Sequence, residues 1–427
     1  MARTNVILWE DDLWKNFYPI SLTHPLFELR AGAFSSLERA KALFPRAQIS
    51  AVCRKQLQPI VEEMGINTNP DLLPDNTPIL LINSRIFLTH RAVNTISRTN
   101  NTTVFLSQNI PVALYVVPGD NSWRAFFESL PDDDSYTEIM SNYEAVELDV
   151  PIFDSLWDII SRNSQFQEMD FITFFRRKAV PFVGDTNIAI YNPDDIYTGN
   201  DVRIDSYAVL DAREGPIIIA QGTHINSGAV IAGPAVVGAD CRIMPYTRIR
   251  PETTLGSVCR IGGEVEASII LGYTNKYHDG FLGHSYIGEW VNFGALTTNS
   301  DLKNNYHNIR VKMPEGEMDT ELNKVGIFVG DHTKFGIGSL LTSGTTVGVS
   351  ANLFGGGLFP KYVPSFIWGS NSDGFVHYKI DKAIETARIV MKRRDKQLTE
   401  SRINLLKEIY NYYTEDRTAF IVEQHSK

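Results

Sequence analysis

The chain has 427 residues, 43% hydrophobic and 21% charged, with 40 Lys and Arg against 50 Asp and Glu for a formal net charge of −10. That composition excludes a disordered, collagen-like or low-complexity chain, and the acidity excludes the bulk field of a general nucleic-acid binder. Length fits two or three domains, and small anions are better expected partners than a polynucleotide. Cys53, Cys241 and Cys259 stand far apart and form no disulfide or metal-ligand spacing. The opening MARTNVILWEDD holds no signal-peptide apolar run, and no stretch is long and apolar enough to span a membrane. A soluble cytoplasmic protein, with no nucleic-acid or membrane partner, is the expectation.

Residues 1–180 read as a mixed α/β domain. Val6 to Trp9 is a short apolar strand that runs into Glu10, Asp11 and Asp12. Ala33 to Phe44 has helical spacing, with Ser35 near its start; Gln48 to Val52, Pro78 to Asn83 and Val112 to Val117 read as further strands. Strands alternating with helices predict an open, largely parallel sheet. Ligands of such sheets gather beyond the strand C-termini, where Asn83, Ser84 and Arg85 would lie. Phe153, Leu156, Trp157, Ile159 and Ile160 mark a helix, Arg176 to Lys178 a solvated helix end, and 181–204 a connector.

A period of six then takes over. Ile219, Ile225, Ile231, Val237, Ile243, Ile249, Leu255 and Ile261 keep it, and Val329, Phe335, Leu341, Val347, Leu353 and Phe359 resume it. This matches neither helix nor simple strand alternation. It is the spacing of hexapeptide-repeat parallel β-helices, in which three hexads close one triangular coil. The domain is placed at 205–365, with a break in the pattern over 262–328 attributed to long insertions at Tyr273–Phe281 and Thr297–Asn323. A helical tail, 366–427, is expected to cover the open end of the coil.

Arg260 to Asn305 is the stretch richest in chemistry-bearing side chains: His278, His284, Asn292, Asn299, Asp301 and Lys303 stand among glycines. A histidine beside a carboxylate, as His278 is beside Asp279, is either a general base titrating near neutrality or a structural residue. His224, His307, His332 and His377 show no partner pattern.

Lys276-Tyr277-His278-Asp279-Gly280-Phe281-Leu282-Gly283, then Ile287-Gly288 and Val291-Asn292-Phe293-Gly294-Ala295, resemble the acetyltransferase domain of the bifunctional N-acetylglucosamine-1-phosphate uridylyltransferases. The resemblance implies a left-handed β-helix, acetyl-CoA as co-substrate, glucosamine 1-phosphate as acceptor and a homotrimer. It gives His278 the role of base and Arg250, Glu264, Phe281, Asn292, Asp301 and Lys303 the substrate contacts. Asp301 stands where an asparagine is usual and Glu266 where a phosphate-binding lysine is common. Tyr18 to Gly32 and Lys361 to Gly369 resemble a divergent branch of sugar nucleotidyltransferases, implying a Rossmann-like first domain that joins a sugar 1-phosphate to a nucleoside triphosphate with Mg²⁺. Trp9-Glu10-Asp11-Asp12 replaces that family's glycine-rich phosphate turn. Arg30, Asn83 and Arg85 are the nucleotide- and phosphate-binding candidates, with Asp11 and Asp12 as candidate metal ligands. Three outcomes stay open: both activities, one of them, or a non-catalytic sugar-phosphate-binding regulator or scaffold.

Overall fold

The computed structural model describes residues 4–69, 76–120, 124, 141, 143–178 and 187–426. The expected boundary at 180 and the start of the connector lie outside the described residues. The chain folds as two compact units: 1–17 with 23–155, and 18–22 with 156–427. Residues 156–178 fall with the second unit because they bond to it: Asn163 Nδ2 donates to Glu252 O at 2.8 Å and Gln167 Nε2 to Thr253 O at 2.9 Å.

The first unit is built on a six-stranded sheet around Asn5–Trp9, whose residues are all buried. That strand pairs in parallel with Gln48–Val52 on one side and Ile79–Asn83 on the other. The sheet is largely parallel, as expected, with one strand, Ile110–Val116, running against the other five. Thr103–Ser107 and Ile110–Val116 form a hairpin that inserts antiparallel beside Ile79–Asn83. Gln108 and Asn109 at its tip both take positive φ, 53° and 64°, the turn geometry a two-residue hairpin needs. The helix read at Ala33–Phe44 runs over Ser36–Leu43, closed by a capping box between Ser35 and Glu38.

The second unit is a parallel β-helix with three faces. One face is a nine-stranded sheet, the second is ten-stranded, and the third is a six-stranded sheet continued by a three-stranded one. Successive six-spaced residues step from face to face. Ile225, Ile243 and Ile261 stack on the second face, and Ile231 and Ile249 on the third. All of the hexad residues named above belong to one buried cluster, so the apolar period is the core of the coil.

The coil does not break at 262. It continues through Val265, Ile270, Lys276, Leu282, Ile287, Phe293 and Asn299, with three of its steps shortened. Tyr273–Phe281 is therefore ordinary coil and not an insertion. The excursion is confined to the chain between Asn299 and Ile327; it carries the hairpin Arg310–Met313 with Gly316–Asp319. The tail forms three helices, Ile380–Lys392, Glu400–Tyr412 and Thr414–His425. The last one joins the core end: Phe420 sits in the coil cluster, its ring 5.3 Å from that of Phe375. The helix Ile380–Lys392 buries Ala383, Ile384, Ala387 and Met391 instead. Among the described residues no helix is long and apolar enough to cross a membrane.

Candidate active site

The outward row of the second face reads Arg203, His224, Arg242, Arg260, Asn275, Asn292, Lys334, Asn352 and Trp368, each beside the next in parallel register. Side chains at equivalent positions of successive coils stand about 4.8 Å apart, so this row lays basic groups in a line that leads into a pair of amides. The first two are tied down. Asp205 accepts from Arg203 at 2.9 Å and pairs with His224 Nε2 at 2.8 Å, a partner for His224 that the sequence pattern did not reveal.

From Arg260 onward the row opens into a cleft of about 620 Å³, lined by Arg260, Asn275, His278, Asn292, Lys334 and, from the helix over Ile380–Lys392 and the turn after it, Val390, Arg393 and Arg394. Arg394 Nη2 donates to Asn275 Oδ1 at 3.0 Å. Burial, then the charges of Arg260, Arg393 and Arg242, pull the Arg394 guanidinium below its ordinary value. Among the described residues Arg242, Arg260 and Arg393 have no carboxylate partner. Several cations held this close without counter-charges form a field that favours an anion such as phosphate. Aromatic rings form one side of the cleft. Tyr273 and Trp290 stack at 4.2 Å with 12° between their planes, and His332 stacks beyond Trp290 at 6.2 Å. Burial pushes the Lys334 ammonium down to about 7, and its Nζ donates to Trp290 O.

His278 stands exposed on this cleft, on the turn between the strands Asn275–Lys276 and Phe281–Gly283. No hydrogen bond joins it to Asp279; its nearest ring neighbour is Tyr277, at 5.2 Å. The six substrate-contact candidates divide between places. Asn292 lines the cleft with His278. Arg250, Glu264, Phe281 and Asp301 lie on the third face: Arg250 Nη1 is 3.1 Å from Glu264 Oε1 and 3.4 Å from Glu266 Oε2. Burial would raise the Glu264 carboxyl, but hydrogen bonds from Arg248 and Arg250 outweigh it and hold the group below its ordinary value. Lys303 sits in the excursion and donates to Asn308 O at 2.6 Å.

Of His278 and His284, it is His284 that a carboxylate orients. Its Nδ1 lies 2.7 Å from Asp301 Oδ2, a hydrogen bond that keeps the Asp301 carboxyl low despite its partial burial. Gly283 makes this possible, since a Cβ there would lie 2.5 Å from the Asp301 carboxylate and 2.4 Å from the Phe281 ring. No sequence pattern marked the pair, because its partners lie 17 residues apart and meet only through coil stacking.

The strand ends of the first unit look different. Arg85 Nε donates to both Asp11 oxygens, at 2.7 and 2.9 Å, and its Nη1 to Phe153 O at 2.8 Å and to Asp154 at 2.5 Å. Asn83 Nδ2 donates to the same Asp11 carboxylate at 2.9 Å. Glu10 is paired with Arg54. Asp11, Asn83 and Arg85 are buried, so all three candidates are committed to one another. Arg30 is half-buried and binds Ala33 O and the capping carboxylate of Glu38. Asp12 is half-buried at the start of a short 3-10 helix. A carboxylate whose two oxygens already accept from the Arg85 Nε–H and the Asn83 amide does not fit Mg²⁺, which asks for free anionic oxygens. Among the described residues no group of three or more His, Cys, Asp and Glu is placed to hold a metal.

Residues 6–178 match the family model described as sugar nucleotidyl transferase. A bifunctional protein GlmU from Aromatoleum aromaticum is 28% identical over 39% of this chain and 42% of its own length. A bifunctional sugar-1-phosphate nucleotidylyltransferase/acetyltransferase from Sulfurisphaera tokodaii is 31% identical over 35% of this chain and 38% of its own. The chain thus spans less than half the length of the curated relatives it matches. A solved UDP-N-acetylglucosamine acyltransferase from Francisella novicida aligns over 57% of this chain and 86% of its own at 14% identity, with a TM-score of 0.26, which adds nothing to the solenoid seen directly. The chain joins a segment matching the sugar nucleotidyl transferase family to a β-helix of the hexapeptide-repeat type.

Proposed function

We propose that this protein is a sugar-phosphate transferase whose β-helix moves an acetyl group from acetyl-CoA to the amine of an amino-sugar phosphate, glucosamine 1-phosphate in the first instance. The observation that carries this reading is the cleft: arginines without carboxylate partners, stacked rings, and an exposed histidine with an amide beside it. The arginines hold the phosphates of the acyl donor. His278 takes the proton that the amine must lose, the nitrogen bonds to the thioester carbonyl carbon, and the C–S bond breaks to release the thiolate. Asn292 steadies the sugar. Hexapeptide acyltransferases that this chain resembles are trimers, and a homotrimer is proposed here, with the Arg250–Glu264 face completing a site with a neighbouring copy.

The Asp301-oriented imidazole supports a second assignment of the base, to His284. Comparing His278→Ala with His284→Ala separates the two.

For the first unit, the family match favours joining a sugar 1-phosphate to a nucleoside triphosphate. The committed Asp11, Asn83 and Arg85 do not support metal-assisted transfer at those residues, so acetyl transfer is the activity assigned. Free thiol released from acetyl-CoA on adding glucosamine 1-phosphate tests it; no release rejects this substrate pair. Pyrophosphate release with each nucleoside triphosphate and Mg²⁺ tests the other arm.

A further inference from the structure

Lys276 occupies a position that the coil reserves for apolar side chains. It lies directly over Ile261 in the inward stack of the second face, and Phe293 and Phe335 continue that stack. It is only 2% exposed. A cation in an apolar column costs stability unless its donors are met. Here they are met by one small piece of chain: Nζ donates to Gly262 O at 2.8 Å, Gly280 O at 2.6 Å and His278 O at 3.4 Å. Two of those carbonyls belong to the turn that carries His278, and the third to the corner of the coil below it.

The same turn is held from other sides. Gly280 O also accepts from Glu264 N at 3.1 Å, and Asp279 O accepts from Leu296 N at 2.9 Å. Gly280 has φ +135°, and a Cβ on it would lie 2.1 Å from Thr297 O. The turn is thus packed between neighbouring coils, and the ammonium closes it from within. Nothing in coil closure requires a cation here: Ile243 and Ile261 fill the equivalent places with hydrocarbon.

We propose that Lys276 is a positioning residue, whose ammonium fixes the His278–Gly280 turn from inside the coil so that the His278 imidazole is presented to the cleft. This rests on the reading of His278 as the proton acceptor. Lys276 touches no substrate; it acts through the backbone carbonyls of the turn.

The test replaces Lys276 by Met, which restores an apolar column, and by Gln, which keeps two N–H donors without the charge. Full-length wild type and variants are compared by melting temperature, by kcat and KM for acetyl-CoA, and by the His278 Cε1 proton resonance. The expected result for Lys276→Met is an unchanged or higher melting temperature, KM for acetyl-CoA unchanged, kcat lower by roughly ten- to a hundredfold, and a displaced His278 resonance. Lys276→Gln recovers part of the rate. If Lys276→Met melts lower and leaves the His278 resonance where it was, Lys276 only supports the coil and the proposal falls. It falls equally if the variant keeps full kcat. Should the wild type show no turnover with glucosamine 1-phosphate, the substrate assignment fails on its own. The His278 resonance then decides Lys276: moved in Lys276→Met supports it, unmoved overturns it.

Discussion

Two regions of this chain bring charged side chains together, and they treat them in opposite ways. At the strand ends of the first unit the charges are cancelled inside the protein: Asp11 by Arg85, and Glu10 by Arg54. Along the second face of the β-helix, Arg242, Arg260, Arg393 and Arg394 gather without carboxylate partners among the described residues and leave a cleft open beside them. Buried ion pairs hold a fold together locally and leave little field for a ligand. Uncompensated cations cost stability and are kept where a ligand supplies the missing charge. The contrast favours the proposal that the chemistry lies in the β-helix.

The largest effect that can break this contrast is catalytic. His278→Ala should lower acetyl transfer by about 10²–10⁴-fold at unchanged fold, the usual contribution of a positioned base, while His284→Ala costs far less; the reverse order in a steady-state assay would move the base to His284. Next is stability at the cancelled site. Arg85→Met leaves Asp11 buried without its partner, and denaturant unfolding should show a loss of about 3–5 kcal/mol; a change below about 1 kcal/mol would mean the pair is not what holds these strand ends.

The pH dependence of stability comes third. Burial pushes the Lys276 ammonium down to about 8 from its ordinary 10.5. Between those values the unfolded chain binds a proton that the folded one has released, so stability rises with pH through that window, by about 3 kcal/mol at most. Lys276→Met should flatten this rise in unfolding curves recorded from pH 7.5 to 10.5. A smaller effect belongs to the basic row. Arg394→Ala should raise KM for acetyl-CoA about tenfold and leave kcat alone, the loss of one charge-assisted contact; an effect on kcat alone would place Arg394 elsewhere in the mechanism. Smallest, Ser35→Ala removes half of a capping box and should cost about 1 kcal/mol in thermal unfolding.

The β-helix was legible where aliphatic inward residues keep a strict period of six, from Ile219 to Ile261 and from Val329 to Phe359; the first coil, through Ile190, Ile196, Ile204 and Leu210, lies partly in the stretch read as a connector, because its spacing is irregular. It was lost between Ile261 and Val329 for a physical reason. Three steps there are shorter, and Lys276 and Asn299 take inward places, so both the spacing and the hydrophobicity fail while the backbone coils on. Asn299 survives inside by bonding Gly283 through both its amide oxygen and nitrogen. At the strand ends of the first unit, the sequence singled out Asn83 and Arg85 as phosphate-binding candidates and Asp11 as a metal candidate, but did not show that the three would meet and satisfy one another. Pairing depends on side-chain reach across neighbouring strands, and no spacing along the chain carries that. The His284–Asp301 contact escaped notice for the same reason, as did the place of Arg393 and Arg394, which the helix over Ile380–Lys392 carries to the cleft; the filling of the coil end by a later helix matches the expectation for the tail.

The most direct test of the central claim sets both regions in one assay: thiol release from acetyl-CoA with glucosamine 1-phosphate, by wild type, His278→Ala and Asp11→Asn, at a temperature where all three are folded. The account predicts release by wild type and Asp11→Asn and its loss in His278→Ala. Release that survives His278→Ala, or that vanishes in Asp11→Asn, would contradict it.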